Sequence, residues 1–152
     1  MNLSVGPRHV VRGALVGAGA ALLLTALAGC SEDKETVASW SAKGGKDHAV
    51  TIGKDLTVLG QASGSGSKDP AIAARCRQVL DDVKAAKAFR TLPDEAARRS
   101  WEETLDKMEK VTTDCLSNAA AGTGGADLAA LFDVESSYRA FADSLGYARE
   151  QP

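Results

Sequence analysis

The carboxylates that could carry out acid–base chemistry lie in two short stretches of the chain. Asp81 and Asp82 are adjacent, and Glu102, Glu103 and Asp106 follow further along. Two carboxylates can supply the acid and the base of a glycoside or peptidoglycan hydrolysis. Neighbouring residues of a helix point in different directions, however, and a small helical domain offers little cleft for such a substrate. These carboxylates are therefore interpreted as a solvated helix surface.

The sequence also gives little support for a nucleophilic, metal-binding or phosphate-binding site. A Ser-His-Asp or Cys-His site would have to use His48, and no cluster of cysteines and histidines indicates a metal site. The glycine-rich stretch 122–125 precedes a helix, where free backbone amides can bind an anion. It lacks the lysine and hydroxyl residue of a phosphate-binding loop, and Asp127 would occupy the same amides. The sequence therefore predicts no catalytic residue, no cofactor and no metal, and hence a non-enzymatic protein.

An apolar run that ends in a cysteine dominates the amino terminus. Arg8 and Arg12 precede the apolar segment 13–27, which is the layout of a secretory signal. This segment ends in Leu27-Ala28-Gly29-Cys30, which resembles the lipobox of bacterial lipoproteins. The composition is similar to that of small lipoproteins of high-GC Gram-positive bacteria. The apolar run is shorter than the roughly 18 residues of a membrane-spanning helix, so a transmembrane anchor is the weaker interpretation.

The lipobox resemblance implies a location and an anchor. Signal peptidase II would remove residues 1–29, and the sulfur of Cys30 would carry a diacylglyceryl group that holds the mature chain at the outer face of the cytoplasmic membrane. The alternative is an ordinary signal peptide in which Cys30 is incidental. With Cys30 assigned to lipid, Cys76 and Cys115 remain, and an oxidising compartment favours a structural disulfide between them. A redox-active pair would more often form a Cys-x-x-Cys motif.

Residues 30–68 have the composition of a flexible tether, with a Gly/Ser-rich stretch at 60–67. The exception is segment 49–59, where β-branched residues alternate around a Gly-Lys-Asp turn. This pattern predicts a short β-hairpin, with a largely disordered, extended segment as the alternative. Trp40 and His48 are interpreted as solvated or loosely packed residues of the tether.

The folded domain is expected at residues 69–148, with residues 149–152 as a tail. Asp69 and Pro70 suit the start of a helix. Three stretches then carry apolar residues at steps of three and four, which is typical of amphipathic helices. Their members are Ile72, Cys76, Val79, Val83 and Ala86 in the first; Trp101, Leu105, Met108, Thr112 and Cys115 in the second; and Leu131, Val134, Tyr138, Phe141, Leu145 and Ala148 in the third.

The second helix has two candidate starts, because either Thr91 or Ser100 could cap it. In an antiparallel pair of helices, Cys76 and Cys115 can meet only if they lie at similar distances from the connecting turn. A straight helix from Pro93 would leave a mismatch of roughly 12 Å. We therefore expect a kink, a short extra turn or a loop between Thr91 and Ser100.

Three such helices can cover one another in an all-α, antiparallel three-helix bundle. The chain has a net charge of −2, and removal of residues 1–29 takes away two arginines and no acid, which leaves −4. This balance indicates no nucleic-acid partner. The sequence predicts a lipid-anchored envelope protein that binds another protein as an accessory or modulator. The alternative is a small-ligand binder with a pocket inside the bundle. In either case the candidate contact residues are Trp101, Met108, Tyr138 and Phe141.

Overall fold

The computed structural model describes residues 35–64 and 70–146, and these residues belong to one compact unit. The described part is helical and contains no β-strand. Its elements are α1 (Val37–Trp40), a bent turn (Ser41–Gly45), α2 (Lys46–Gly64), α3 (Pro70–Ala88), α4 (Glu95–Ala121) and α5 (Leu128–Ser144). None of these helices is both long enough and apolar enough to cross a membrane.

The apolar stripes predicted for α3, α4 and α5 form most of the core. All five stripe residues of α3 are buried, as are all five of α4. In α5, Leu131, Val134 and Phe141 are buried, whereas Tyr138 and Leu145 are partly buried. The helical prediction is therefore confirmed for these segments. Asp69 and Ala148, which were assigned to the ends of this region, lie outside the described residues.

Aspartates and glycines set the ends of α4 and α5. The Asp94 side chain accepts a hydrogen bond from the Ala97 amide, and Asp127 accepts from the amides of Ala129 and Ala130. Gly122 ends α4 in the left-handed conformation, with φ of 70°. Such caps satisfy amides and carbonyls that have no partner within the helix.

The break predicted between Thr91 and Ser100 is present only in part, because residues 91–94 form a loop but no kink or extra turn follows, although the disulfide that motivated the prediction is present. Cys76 and Cys115 are bonded, with their Cα atoms 6.2 Å apart. Helix α4 nevertheless begins at Glu95 and continues unbroken through Ser100. The register is explained by a second contact, in which Lys87 Nζ at the end of α3 lies 2.7 Å from Asp106 Oδ1.

These two contacts place the end of α3 beside the middle of α4 rather than beside its start. The first turns of α4 therefore extend about 15 Å beyond α3, at 1.5 Å per residue. The linker of residues 89–94 can span about 20 Å, which is enough to cover this offset. The loop is shorter than predicted because the prediction assumed that both helices begin at the same level.

The prediction of a β-hairpin at residues 49–59 is also wrong, because these residues lie within α2. Helix α2 buries Ala49, Ile52, Leu59 and Ala62 in the common core. The flexible tether predicted for residues 30–68 is thus replaced by helix over most of its described part. The structure has four long helices packed together, where three were predicted, and α2 is the additional one.

The segment that leads into α2 is held by Trp40, which is completely buried rather than solvated. Its indole Nε1 donates a 2.9 Å hydrogen bond to the Arg90 carbonyl, and its ring meets the Phe89 ring edge-on at 6.1 Å. Gly44, with φ of 114°, lets the chain bend in the turn between α1 and α2. Gly45 then packs directly on the Trp40 ring, because a Cβ at Gly45 would lie 2.3 Å from it.

Candidate functional site

The candidate site is a groove of about 720 Å³ between α2 and α5, here called the α2–α5 groove. The three large apolar side chains that remain exposed in the described part of the chain all line it. They are Val50, Leu128 and Phe132, whose side chains are 43%, 55% and 67% exposed. Most soluble proteins scatter such residues singly, so their convergence on one concave surface indicates a binding face.

The α2 wall of the groove is shallow because two of its residues are glycines. At Gly53 the helices approach closely, since an added Cβ would lie 2.6 Å from the Tyr138 hydroxyl. That hydroxyl donates a 3.0 Å hydrogen bond to the Ala49 carbonyl and closes the floor of the groove. At Gly60, by contrast, an added Cβ would meet no atom within 4 Å. The groove is therefore narrow at Gly53 and open at Gly60.

Helix α5, which forms the other wall, has apolar residues on its groove face as well as on its core face. Its inner face buries Val134 and Phe141, while Leu128 and Phe132, one turn apart, project into the groove instead of the core. The Asp127 cap fixes the start of this helix and hence the direction of both exposed side chains. The solvent face of a surface helix normally carries polar residues, whereas this face of α5 carries apolar ones.

Charged residues line the groove towards the start of α2 and the end of α5. Glu135 Oε1 and Arg139 Nη2 form an ion pair at 2.5 Å, and Lys46 and Asp143 also line the groove. The four charges balance. The groove therefore has a charged end near Lys46, where Val50 lies one turn further along α2, and an apolar end near Leu128 and Phe132.

The four residues predicted as ligand or partner contacts are divided between the core and the groove. The rings of Trp101 and Phe141 contact each other at a tilt of 31°, with centroids 4.5 Å apart, and Met108 is completely buried in the same core. Only Tyr138 lines the α2–α5 groove. The structure thus gives three of these side chains a packing role and brings one to the candidate site.

Each carboxylate considered for catalysis on α4 contacts a basic side chain. Glu102 lies 3.3 Å from Arg98, and Asp106 pairs with Lys87. Glu103 lies 2.8 Å from Lys107, and this hydrogen bond lowers the pKa of the Glu103 carboxyl. A general acid at neutral pH needs a raised pKa, so the arrangement is that of a solvated surface.

Lys107 also donates a 2.8 Å hydrogen bond to the hydroxyl of Ser137, which the sequence patterns did not single out. A serine beside a lysine can be a nucleophile and its base. Here the ammonium is engaged with the Glu103 carboxylate as well, and a lysine base must be neutral. Neither residue lines the α2–α5 groove, so the contact is structural.

Asp55 is the most unusual polar residue of the described part. It is only 6% exposed, and no hydrogen-bond donor reaches its Oδ2 atom. Loss of solvation, together with the nearby charge of Asp82, raises the pKa of its carboxyl to about 6. Asp55 lies on the buried face of α2, away from the groove.

Within residues 35–64 and 70–146, no three histidine, cysteine, aspartate or glutamate side chains gather as metal ligands. Cys30, the predicted lipidation site, lies outside the described residues. Comparison with protein-family models, with curated proteins and with solved structures finds no match to this chain.

Proposed function

We propose that the chain is an extracytoplasmic lipoprotein, anchored through lipid on Cys30, that binds a segment of another envelope protein in the α2–α5 groove and acts without catalysis. The anchor is supported by the lipobox resemblance of Leu27-Ala28-Gly29-Cys30. The binding role is supported by one observation above all, the convergence of Val50, Leu128 and Phe132 on a single groove. Such a surface costs solubility unless a partner covers it.

The disulfide fits the proposed location. An oxidising compartment lets Cys76 and Cys115 remain bonded, whereas the cytosol would reduce them. Within our proposal the bond stabilises α3 against α4 and so supports the scaffold that carries the two walls of the groove. The role of the chain is therefore that of an accessory or modulator of a membrane complex.

A small apolar ligand is the alternative occupant. The groove volume of about 720 Å³ lies within the range of small-molecule sites, roughly 300 to 1,000 Å³. Such a ligand would bind in the α2–α5 groove, beside Tyr138, because the other three candidate contacts, Trp101, Met108 and Phe141, are packed in the core. An organic ligand that co-purifies with the chain and raises its melting temperature would favour this alternative.

Two measurements test the proposal. Mass spectrometry of the chain purified from membranes should find a mature amino terminus at Cys30 that carries a diacylglyceryl group, and Cys30→Ala should remain unprocessed.

Chemical crosslinking on intact cells should join the wild-type chain to a specific protein. Phe132→Asp should lose this product because it places a charge on the apolar wall, whereas Ala85→Asp, on the exposed surface of α3, should retain it. Loss or retention in both variants would contradict the groove as the binding site.

A further inference from the structure

The described chain begins very close to the proposed lipid. From Cys30 to Glu35 an extended chain reaches at most about 18 Å, at up to roughly 3.6 Å per residue. Glu35 is itself fixed to the helical unit, since its Oε1 lies 3.1 Å from Lys43 Nζ and 3.0 Å from Arg90 Nη1. These hydrogen bonds, first that of Arg90 and then that of Lys43, lower the pKa of the Glu35 carboxyl. The anchor is therefore short, and its far end is fixed to the linker between α3 and α4.

The α2–α5 groove starts at the same end of the molecule. Lys46, which lines its charged end, follows Lys43 by only three residues. From Lys46 to Gly60 the groove follows α2 for about 21 Å, the length of about four turns of a partner helix. The charged end of the groove is therefore nearer than its apolar end, at Leu128 and Phe132, to Glu35, where the described chain begins.

The shape and charge of the groove favour a protein helix over the bilayer itself. The surface between the two walls is concave, and the charges of Lys46 and Arg139 are balanced by those of Glu135 and Asp143. A surface that docks on anionic lipid instead presents an excess of lysine and arginine around a protruding apolar face. The mature chain, with a net charge of −4, has no such excess.

We infer that the α2–α5 groove binds an amphipathic helix from the membrane-proximal, extracytoplasmic part of an integral membrane protein. The partner helix places its apolar residues at steps of three and four against Leu128 and Phe132, the usual mode of helix-in-groove recognition. Its charged residues lie at the membrane end, beside Lys46, Glu135 and Arg139. This inference rests on the proposed lipid anchor at Cys30, because only the short anchor restricts the partner to the membrane surface.

The test combines a photo-crosslinking amino acid in place of Phe132 with two altered anchors on intact cells. One form carries a rigid helical spacer of about 20 residues between Ser31 and Glu32, which lifts the domain by about 30 Å. The other carries a Gly/Ser spacer of the same length, which lets the domain return to the membrane. The crosslinked peptide is identified by mass spectrometry.

We expect the original and Gly/Ser forms to crosslink the same segment, close in sequence to a transmembrane helix. The rigid spacer should lower the yield by at least about tenfold, since it prevents anchor and groove from being engaged together. Equal yield with the rigid spacer, or a product with lipid or with a second copy of this chain, would overturn this inference while leaving the lipid anchor in place. Absence of any product from the original anchored form would overturn the proposed function itself.

Discussion

The buried carboxylate of Asp55 predicts that acid stabilises part of this fold. Asp55 lies on the core face of α2, with Oδ2 unpaired and with the Asp82 charge near by. Replacement by asparagine keeps the size of the side chain and removes its charge. We expect Asp55→Asn to be more stable than the wild type at neutral pH, and this gain should disappear in acid.

The size and direction of the effect follow from the pKa. Burial first, and the Asp82 charge second, raise the pKa of Asp55 from 3.8 to about 6 in the folded chain. The folded state therefore holds the proton more tightly than the unfolded state does. The stability contributed by the protonated carboxyl is complete below about 3.8 and is lost as the pH rises through about 6. This difference corresponds to about 3 kcal/mol at pH 7, of which the asparagine variant should recover about 1–2 kcal/mol because its amide is also incompletely hydrogen bonded.

The assay is urea denaturation of the wild type and Asp55→Asn at several pH values from below 4 to 7, read by circular dichroism. The difference in free energy of unfolding isolates Asp55, because the lowered pKa values of Glu35 and Glu103 act in both proteins and in the opposite direction. Asp82→Asn is the matched control and should give a smaller gain, since it removes only the second cause. The reasoning would be refuted if the free energies of unfolding of Asp55→Asn and the wild type differed by the same amount at every pH, or if Asp55→Asn were less stable than the wild type at pH 7.

Three further predictions concern the scaffold. Reduction of the Cys76–Cys115 bond should lower the free energy of unfolding by about 4 kcal/mol in the chain-entropy model; thermal melting with and without reductant measures this, and the Cys76→Ser/Cys115→Ser double variant should not respond to reductant. Gly45→Ala should destabilise the chain by about 1–3 kcal/mol, because the new methyl group would overlap the Trp40 ring, and the Trp40 environment can be followed by fluorescence. Gly60→Ala should instead stabilise it by about 0.5–1 kcal/mol, because the site is open and alanine favours helix; a melting temperature below the wild type would contradict the open site.

The regular apolar stripes made most of the helical fold predictable. The stripes in α3 and α4 contain only residues that are buried in the structure, and the predicted cap Asp127 begins α5. The cap of α4 was predicted wrongly, since Asp94 caps this helix in place of Thr91 or Ser100. The disulfide was also predictable, because the lipobox resemblance left one pair of cysteines in an oxidising compartment. These features depend on residues close in sequence or on cysteine count, both of which the sequence displays directly.

Helix α2 was missed because its buried stripe contains a charged residue. Ala49, Ile52, Asp55, Leu59 and Ala62 recur at steps of three and four, and all five are buried. Asp55 interrupts the apolar pattern, the β-branched residues around it favour a strand when they are considered locally, and two glycines lower the helix propensity of the segment. The groove could not be predicted without this helix, since α2 forms one of its walls.

The offset between α3 and α4 was hidden for a different reason. The positions of Cys76 and Cys115 limit how the helices pair, but the same limit can be met by a kink or by one helix extending past the other. In the structure the linker is held by Trp40, whose side chain packs on the linker residue Phe89 and bonds to Arg90. This contact joins residues far apart in sequence, and no local pattern indicates it.

The most direct test of the groove as a binding site is photo-crosslinking from position 132 in a chain that also carries Gly60→Glu. An added Cβ at Gly60 would meet no atom within 4 Å, so the variant should fold with a melting temperature close to that of the wild type. The glutamate should occupy the open end of the groove and abolish the crosslinked product, whereas Ala85→Glu should retain it. A product of unchanged yield with Gly60→Glu would contradict the binding of a partner in the α2–α5 groove.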